Sequence, residues 1–230
     1  MIVSIHQPNF LPWLGFFHKM AQCDKFIILD NVQFARRMFF HRTKIKTSQK
    51  QALWLTIPVH DRYGETNINE IIIDNSQNWK DKHLKSIIMN YHKAEFFSEY
   101  IKFFEEIFND NWEILSDLTI TIIKLLASVL EIKTEIILAS DLQVTGKSTE
   151  LLINLCKKVK ATSYISGPSG KKYLKENEFE KNSIELIYHK FNHPEYNQLY
   201  GPFMSNLSVI DLLFNCGSES RNILLGKSEK

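Results

Sequence analysis

Cysteine is scarce in this sequence: Cys23, Cys156 and Cys216 are the only three, and no two form a Cys-x-x-Cys pair. That scarcity excludes a disulfide scaffold and a structural zinc site, both of which need paired cysteines. Long hydrophobic runs are missing too. The most apolar stretch, Leu118–Leu130, is interrupted by Lys124 and falls short of the roughly 20 residues a membrane-spanning helix needs. Met1–His6 lacks a basic segment followed by a long apolar one, so it does not read as a secretory signal. These absences predict a reducing, cytoplasmic setting with no membrane span. A net charge of only +2 gives no general ground for a nucleic-acid or membrane partner. Familiar catalytic signatures are absent as well: Gly-x-Ser-x-Gly, His-Glu-x-x-His and the Asp-x-Asp pair that holds a metal–diphosphate. Gly146-Lys147-Ser148 lacks the upstream glycine of a Walker loop, and no metal site is expected.

One absence is local. Between Asp30 and Asp61 there is no acidic residue, while Arg36, Arg37, Arg42, Lys44, Lys46 and Lys50 all fall there. The segment reads either as the solvated face of a strand or hairpin, or as a surface for the phosphates of a nucleotide. Arg42 and Lys44 alternate, so in a strand both point to one side.

What is present is a globular composition, 44% hydrophobic and 23% charged, enough for a substantial core. Ile2–Ile5 and Lys25–Leu29 read as buried strands flanking a helix over Leu14–Ala21, a β-loop-α-β unit of parallel α/β architecture. Ala52–Val59, Glu135–Ala139, Ser163–Ser166 and Ser183–Tyr188 read as further strands, and Glu70–Ile73 as a short one. Trp79–His92, Phe96–Asn109 and Trp112–Leu130 have helical periodicity, as do Lys147–Val159 and Ser208–Cys216, the last with Ser208 as N-cap. The expected fold is α/β: one domain over residues 1–216 with a parallel sheet core and a helical insertion near 76–132. Residues 217–230 are expected to be a flexible tail.

Parallel sheets bind ligands at the carboxyl ends of their strands. Three segments fall at such ends: His6–Trp13, Asp30–Gln33 and Ser166–Gly170. The first offers His6, Gln7 and Asn9 on a turn stiffened by Pro8 and Pro12, with Gly15 open to close approach. The second chain of small residues, Ser166-Gly167-Pro168-Ser169-Gly170-Lys171, can cradle a phosphate or a carboxylate. His193–Gln198 is a polar-aromatic loop before the last helix, on which Asp211 and Asn215 share a face.

The run Ile5-His6-Gln7-Pro8-Asn9-Phe10-Leu11-Pro12-Trp13-Leu14-Gly15-Phe16-Phe17 resembles the signature opening of the WbqC-like family. Asp30–Phe34, Arg42–Lys46, Trp54–Val59, Tyr164–Leu174, His193–Gln198 and Leu207–Gly217 agree with it, so the resemblance runs nearly end to end. His41 departs from the Asn expected before Arg42. The resemblance implies bacterial surface-polysaccharide (O-antigen) biosynthesis and a nucleotide-linked sugar as substrate. In layout the opening is also similar to HIGH-type nucleotidylyltransferases and pantothenate synthetase, although Trp13–Phe16 stands where their His-x-Gly-His would lie.

These resemblances imply an ATP-dependent ligase, with magnesium, that joins an amino acid or short acyl acid to the amine of a nucleotide-linked amino sugar. A glycosyltransferase, an acyl-donor-dependent N-acyltransferase and a non-catalytic nucleotide-sugar-binding protein are the alternatives. In the ligase, His6 serves as general base or phosphate donor, and Arg42 and Lys171 contact phosphates. Gln7, Asn9, Trp13, Gly15, Ser166, Gly167, Ser169 and Gly170 hold the cofactor. Asp30, Gln33, Lys44, Tyr173, His193, Tyr196, Gln198, Asp211 and Asn215 meet the substrate.

Overall fold

A computed structural model describes residues 1–35, 38–60 and 66–227, so Arg36 and Arg37 of the basic segment lie outside the described residues. The chain opens with β1 (Ile2–His6), α1 (Leu14–Met20) and β2 (Lys25–Ile28). Two small antiparallel hairpins follow, β3 (Arg42–Lys46) with β4 (Ala52–Thr56) and β5 (Val59–His60) with β6 (Ile72–Ile73). The helical insertion is α2 (Trp79–Tyr91), α3 (Phe97–Asn109) and α4 (Leu115–Val129). Then come β7 (Glu135–Leu138), α5 (Ala139–Leu142), α6 (Ser148–Lys158), β8 (Ser163–Ser166), α7 (Glu176–Lys181) and β9 (Glu185–Tyr188). The chain closes with α8 (Val209–Cys216) and α9 (Ser220–Leu224).

The five strands β1, β2, β7, β8 and β9 form one parallel sheet in the order β7-β2-β1-β8-β9. Strand alternation divides the apolar residues between two faces. Val3, Ile5 and Ile27 point to a core with Leu152, Leu155 and Phe179 of α6 and α7. Phe26 and Ile28 point to a larger core with Phe16 and Phe17 of α1, the insertion helices and α8. Helices thus cover both faces.

The strand expected over Ala52–Val59 runs over Ala52–Thr56, outside the main sheet; Leu53 and Trp54 are exposed, and it pairs with Arg42–Lys46. Two expectations are corrected. Glu70 belongs to a short 3-10 turn, leaving only Ile72 and Ile73 to pair. The tail does not fray at Gly217, because Ser220 and Leu224 are buried and α9 packs against α1 and α8.

Candidate functional site

Strand order reverses at β1: the chain steps outward to β2 and β7, then returns to the other side for β8 and β9. The crevice at such a switch point, beyond the carboxyl ends of the two adjacent strands, is where open α/β sheets bind ligands. A cavity of about 480 Å³ lies there, bounded by the loop after β1 and the loop after β8.

The first loop is held from outside. Phe10 N donates to the carbonyl of Phe39 (3.0 Å), Thr43 Oγ1 to that of Leu11 (2.9 Å), and Val209 N to that of Pro12 (2.9 Å). Hairpin β3–β4 and the start of α8 therefore fix the turn that carries His6, Gln7, Asn9 and Trp13 into the cavity wall. The second loop supplies Ser166, Gly167, Ser169 and Tyr173. Gly170 is buried behind them, and a side chain there would strike Ser166 Oγ. Gly15 makes room for the indole of Trp13 rather than for a ligand.

The remaining expected residues lie outside the cavity. Arg42 and Lys44 do share a side, but they stack on the ring of Trp54 at 4.4 and 4.9 Å on the outer face of the hairpin. Lys171 lies over Tyr188, 5.1 Å from its centroid. Asp30 is buried and accepts Ser140 N (3.0 Å) and Ser140 Oγ (2.6 Å), tying β2 to the start of α5. Gln33 is exposed and bridges to Asn67. His193 hydrogen-bonds the carbonyl of Pro194 at 2.9 Å and packs against Phe191 and Phe203.

Asp211, 1% exposed, is the hub of a structural lock. Tyr91 OH (2.7 Å), Tyr196 OH (2.8 Å) and Gln198 Nε2 (2.8 Å) all donate to its carboxylate. Burial raises its pKa, and the donors of Tyr91 and Tyr196 work against that rise. Lys46 Nζ donates to Gln198 Oε1 at 3.0 Å, and Asn215 Oδ1 accepts Leu199 N at 2.9 Å. These groups fasten the loop 193–206 to the helices, which is work enough for each of them.

Sequence reasoning missed Lys19, Ser148, Tyr164 and the wall formed by Met38, Phe39 and Phe40. Lys19 is the most consequential. It sits in the last turn of α1, where Cα–Cβ bonds tilt toward the helix start and carry a long stem back along the helix. It is 3% exposed, its Nζ lies over Phe26 at 5.7 Å, and that Nζ has no hydrogen-bond partner among the described residues. A signal was available: Leu14-Gly15-Phe16-Phe17 is apolar on every side, and a helix apolar all round is buried, lysine included.

Its charge adds to the effect of burial on the neighbours. Burial first, then Lys19, lowers His6 to about 3. Burial, then His18, then Lys19, lower His189 to about 4. His6 is thus a neutral imidazole at physiological pH. Its Nδ1 lies 2.9 Å from the carbonyl of Gln7, an acceptor only, so Nδ1 carries the proton and Nε2 keeps a bare lone pair. A group so reluctant to protonate is a weak general base. His18 Nδ1 and His189 Nε2 lie 2.8 Å apart and share one hydrogen bond beside the site.

The comparisons with known proteins agree on kinship. The model of the WbqC-like protein family matches residues 7–223. The chain is 35% identical over 226 residues to the "Uncharacterized protein Rv1507c" of Mycobacterium tuberculosis, covering 96% of each chain. No solved structure matches. With that match covering well over half of its length, the chain belongs to the WbqC-like protein family.

Proposed function

We propose that this chain is an enzyme of bacterial surface-polysaccharide biosynthesis that uses ATP to join a short carboxylic or amino acid to the amine of a nucleotide-linked amino sugar. The cavity at the sheet's switch point carries this reading: it sets His6, Gln7 and Asn9 opposite Ser166 and Ser169. The strand order is one that serves nucleotide binding in many α/β enzymes, which supports the likeness to HIGH-type nucleotidylyltransferases at the level of layout.

In the reaction proposed, a carboxylate oxygen attacks the α-phosphorus of ATP and pyrophosphate leaves. The sugar amine then attacks the acyl carbon, AMP departs, and the amine releases a proton. His6 cannot hold that proton well, but its Nε2 lone pair can accept an N–H and aim the amine. Ser166, Ser169 and the backbone of Gly167 supply donors for phosphate oxygens. In this reading magnesium enters with the ATP phosphates.

The test is direct. Purified protein is incubated with magnesium-ATP, a panel of amino and acyl acids and a panel of amino-sugar nucleotides, and AMP is measured. AMP that depends on both co-substrates supports the proposal. Binding of a nucleotide sugar without any response to ATP transfers the chain to the acyl-donor-dependent transferases.

A further inference from the structure

We propose that Lys19 is the anchor of an oxyanion subsite in the floor of the cavity, made for a carboxylate or a phosphoryl group of the ligand. The inference rests on the reading that the cavity is the ligand site, but not on ATP or on ligation.

A lysine ammonium loses its hydration on burial and normally recovers it through a carboxylate or several carbonyl acceptors. Lys19 has neither: its Nζ is buried and has no hydrogen-bond partner among the described residues, and the residue is one of those that line the cavity. The groups whose charge it feels or shifts are His6, His189 and Cys23. None of them is an anion: burial keeps both imidazoles neutral, and burial pushes the Cys23 thiol up to about 12. The negative partner of this ammonium is therefore something the described residues do not provide.

One further feature favours an anion at the same place, and another suits a donor beside it. α6 brings the first residue of its N-terminal turn, Ser148, to the cavity wall, so the positive end of that helix borders the site. His6 offers a bare Nε2 on the same wall, able to accept an O–H or N–H next to the anionic group. An α-amino acid, an α-hydroxy acid and a phosphate ester beside a sugar hydroxyl all have that pairing of anion and donor.

The experiment is thermal shift and isothermal titration calorimetry on the full chain, without ATP or sugar nucleotide. The probes are acetate and glycine for the carboxylate source, and inorganic phosphate and pyrophosphate for the phosphoryl source. Wild type, Lys19→Met, and Lys124→Met on the exposed side of α4 are compared. Saturable stabilisation by one class, weakened at least tenfold in Lys19→Met and unchanged in Lys124→Met, supports the site and names its source. Absence of stabilisation by either class, or stabilisation that survives in Lys19→Met, overturns it. Because AMP formation is not measured, an intact anion site beside a failed ligase assay sinks only the reaction proposed above.

Discussion

Replacing Lys19 with methionine separates the charge from the packing, since methionine keeps much of the apolar stem and drops the ammonium. Burial lowers the ammonium from its ordinary 10.5 to about 8 in the folded chain. At about 1.4 kcal/mol per pH unit, that gap means the native state disfavours the charged form by roughly 3 kcal/mol. Below pH 8 the native protein carries the charge and bears the whole cost. Between pH 8 and 10.5 the unfolded chain binds more protons than the folded one, so wild-type stability rises with pH across that window. Lys19→Met is therefore expected to be more stable than wild type at pH 7, by roughly 2–3 kcal/mol after some loss of packing, or about 5–10 °C in Tm. Above pH 10.5 the advantage disappears. Urea unfolding followed by tryptophan emission, in buffer free of phosphate and carboxylates, measures both proteins at pH 7 and pH 10.5. A less stable variant at pH 7, or the same difference at both pH values, refutes the account of an uncompensated buried charge. A buried lysine that costs stability is what the proposed anion-binding role predicts.

Four other outcomes are expected. Asp211→Ala removes the acceptor of three buried donors and should cost roughly 3–5 kcal/mol by urea unfolding, against about 1–2 for Tyr91→Phe; equal small losses would contradict the lock. Gly15→Ala puts a methyl group into the Trp13 indole and should cost about 1–3 kcal/mol with a shift in emission, so a silent substitution would show that the helix start can adjust. His6, His83 and His189 are lowered from 6.5 to about 3, 4 and 4 by burial, so the unfolded chain gains protons first on acidification. Stability should accordingly fall below pH 6.5, and His83→Phe should flatten that fall by close to one proton; an unchanged slope counts against it. Phosphate or acetate affinity should drop about tenfold per pH unit once Lys19 deprotonates above pH 8, and a flat profile by calorimetry points to another cation.

The parallel sheet and its covering helices are legible because period-2 and period-3.6 patterns report burial directly. Ile2–Ile5 and Leu14–Ala21 lie within a residue of the observed β1 and α1. The cavity-facing loops were found by the same logic, as polar turns at strand ends. What pattern could not supply was partnership across the chain. Asp211 and Tyr196 are 15 residues apart, and Tyr91 is 120 from Asp211, so nothing local reveals that three polar residues spend themselves on one another. Arg42 and Lys44 were placed on one side by strand geometry, yet which side faced the ligand depended on hairpin packing that alternation alone leaves open. Lys19 was hidden for a simpler reason: a lysine in a helix is read as solvated unless the rest of the helix is weighed with it.

The clamps on the His6–Trp13 turn have a consequence for assembly. β1 lies in the middle of the sheet, and one of its two neighbours, β8, begins at Ser163, while the carbonyl of Pro12 waits for the amide of Val209. The residues that line the cavity from this turn therefore depend for their arrangement on contacts made nearly two hundred residues further along the chain. Without β8 and α8 the turn loses a neighbouring strand and the clamp on Pro12. The cavity is thus a property of the closed fold and of no local segment. Two fragments cut between β7 and α6 should each be silent toward ligand and regain it only on being mixed.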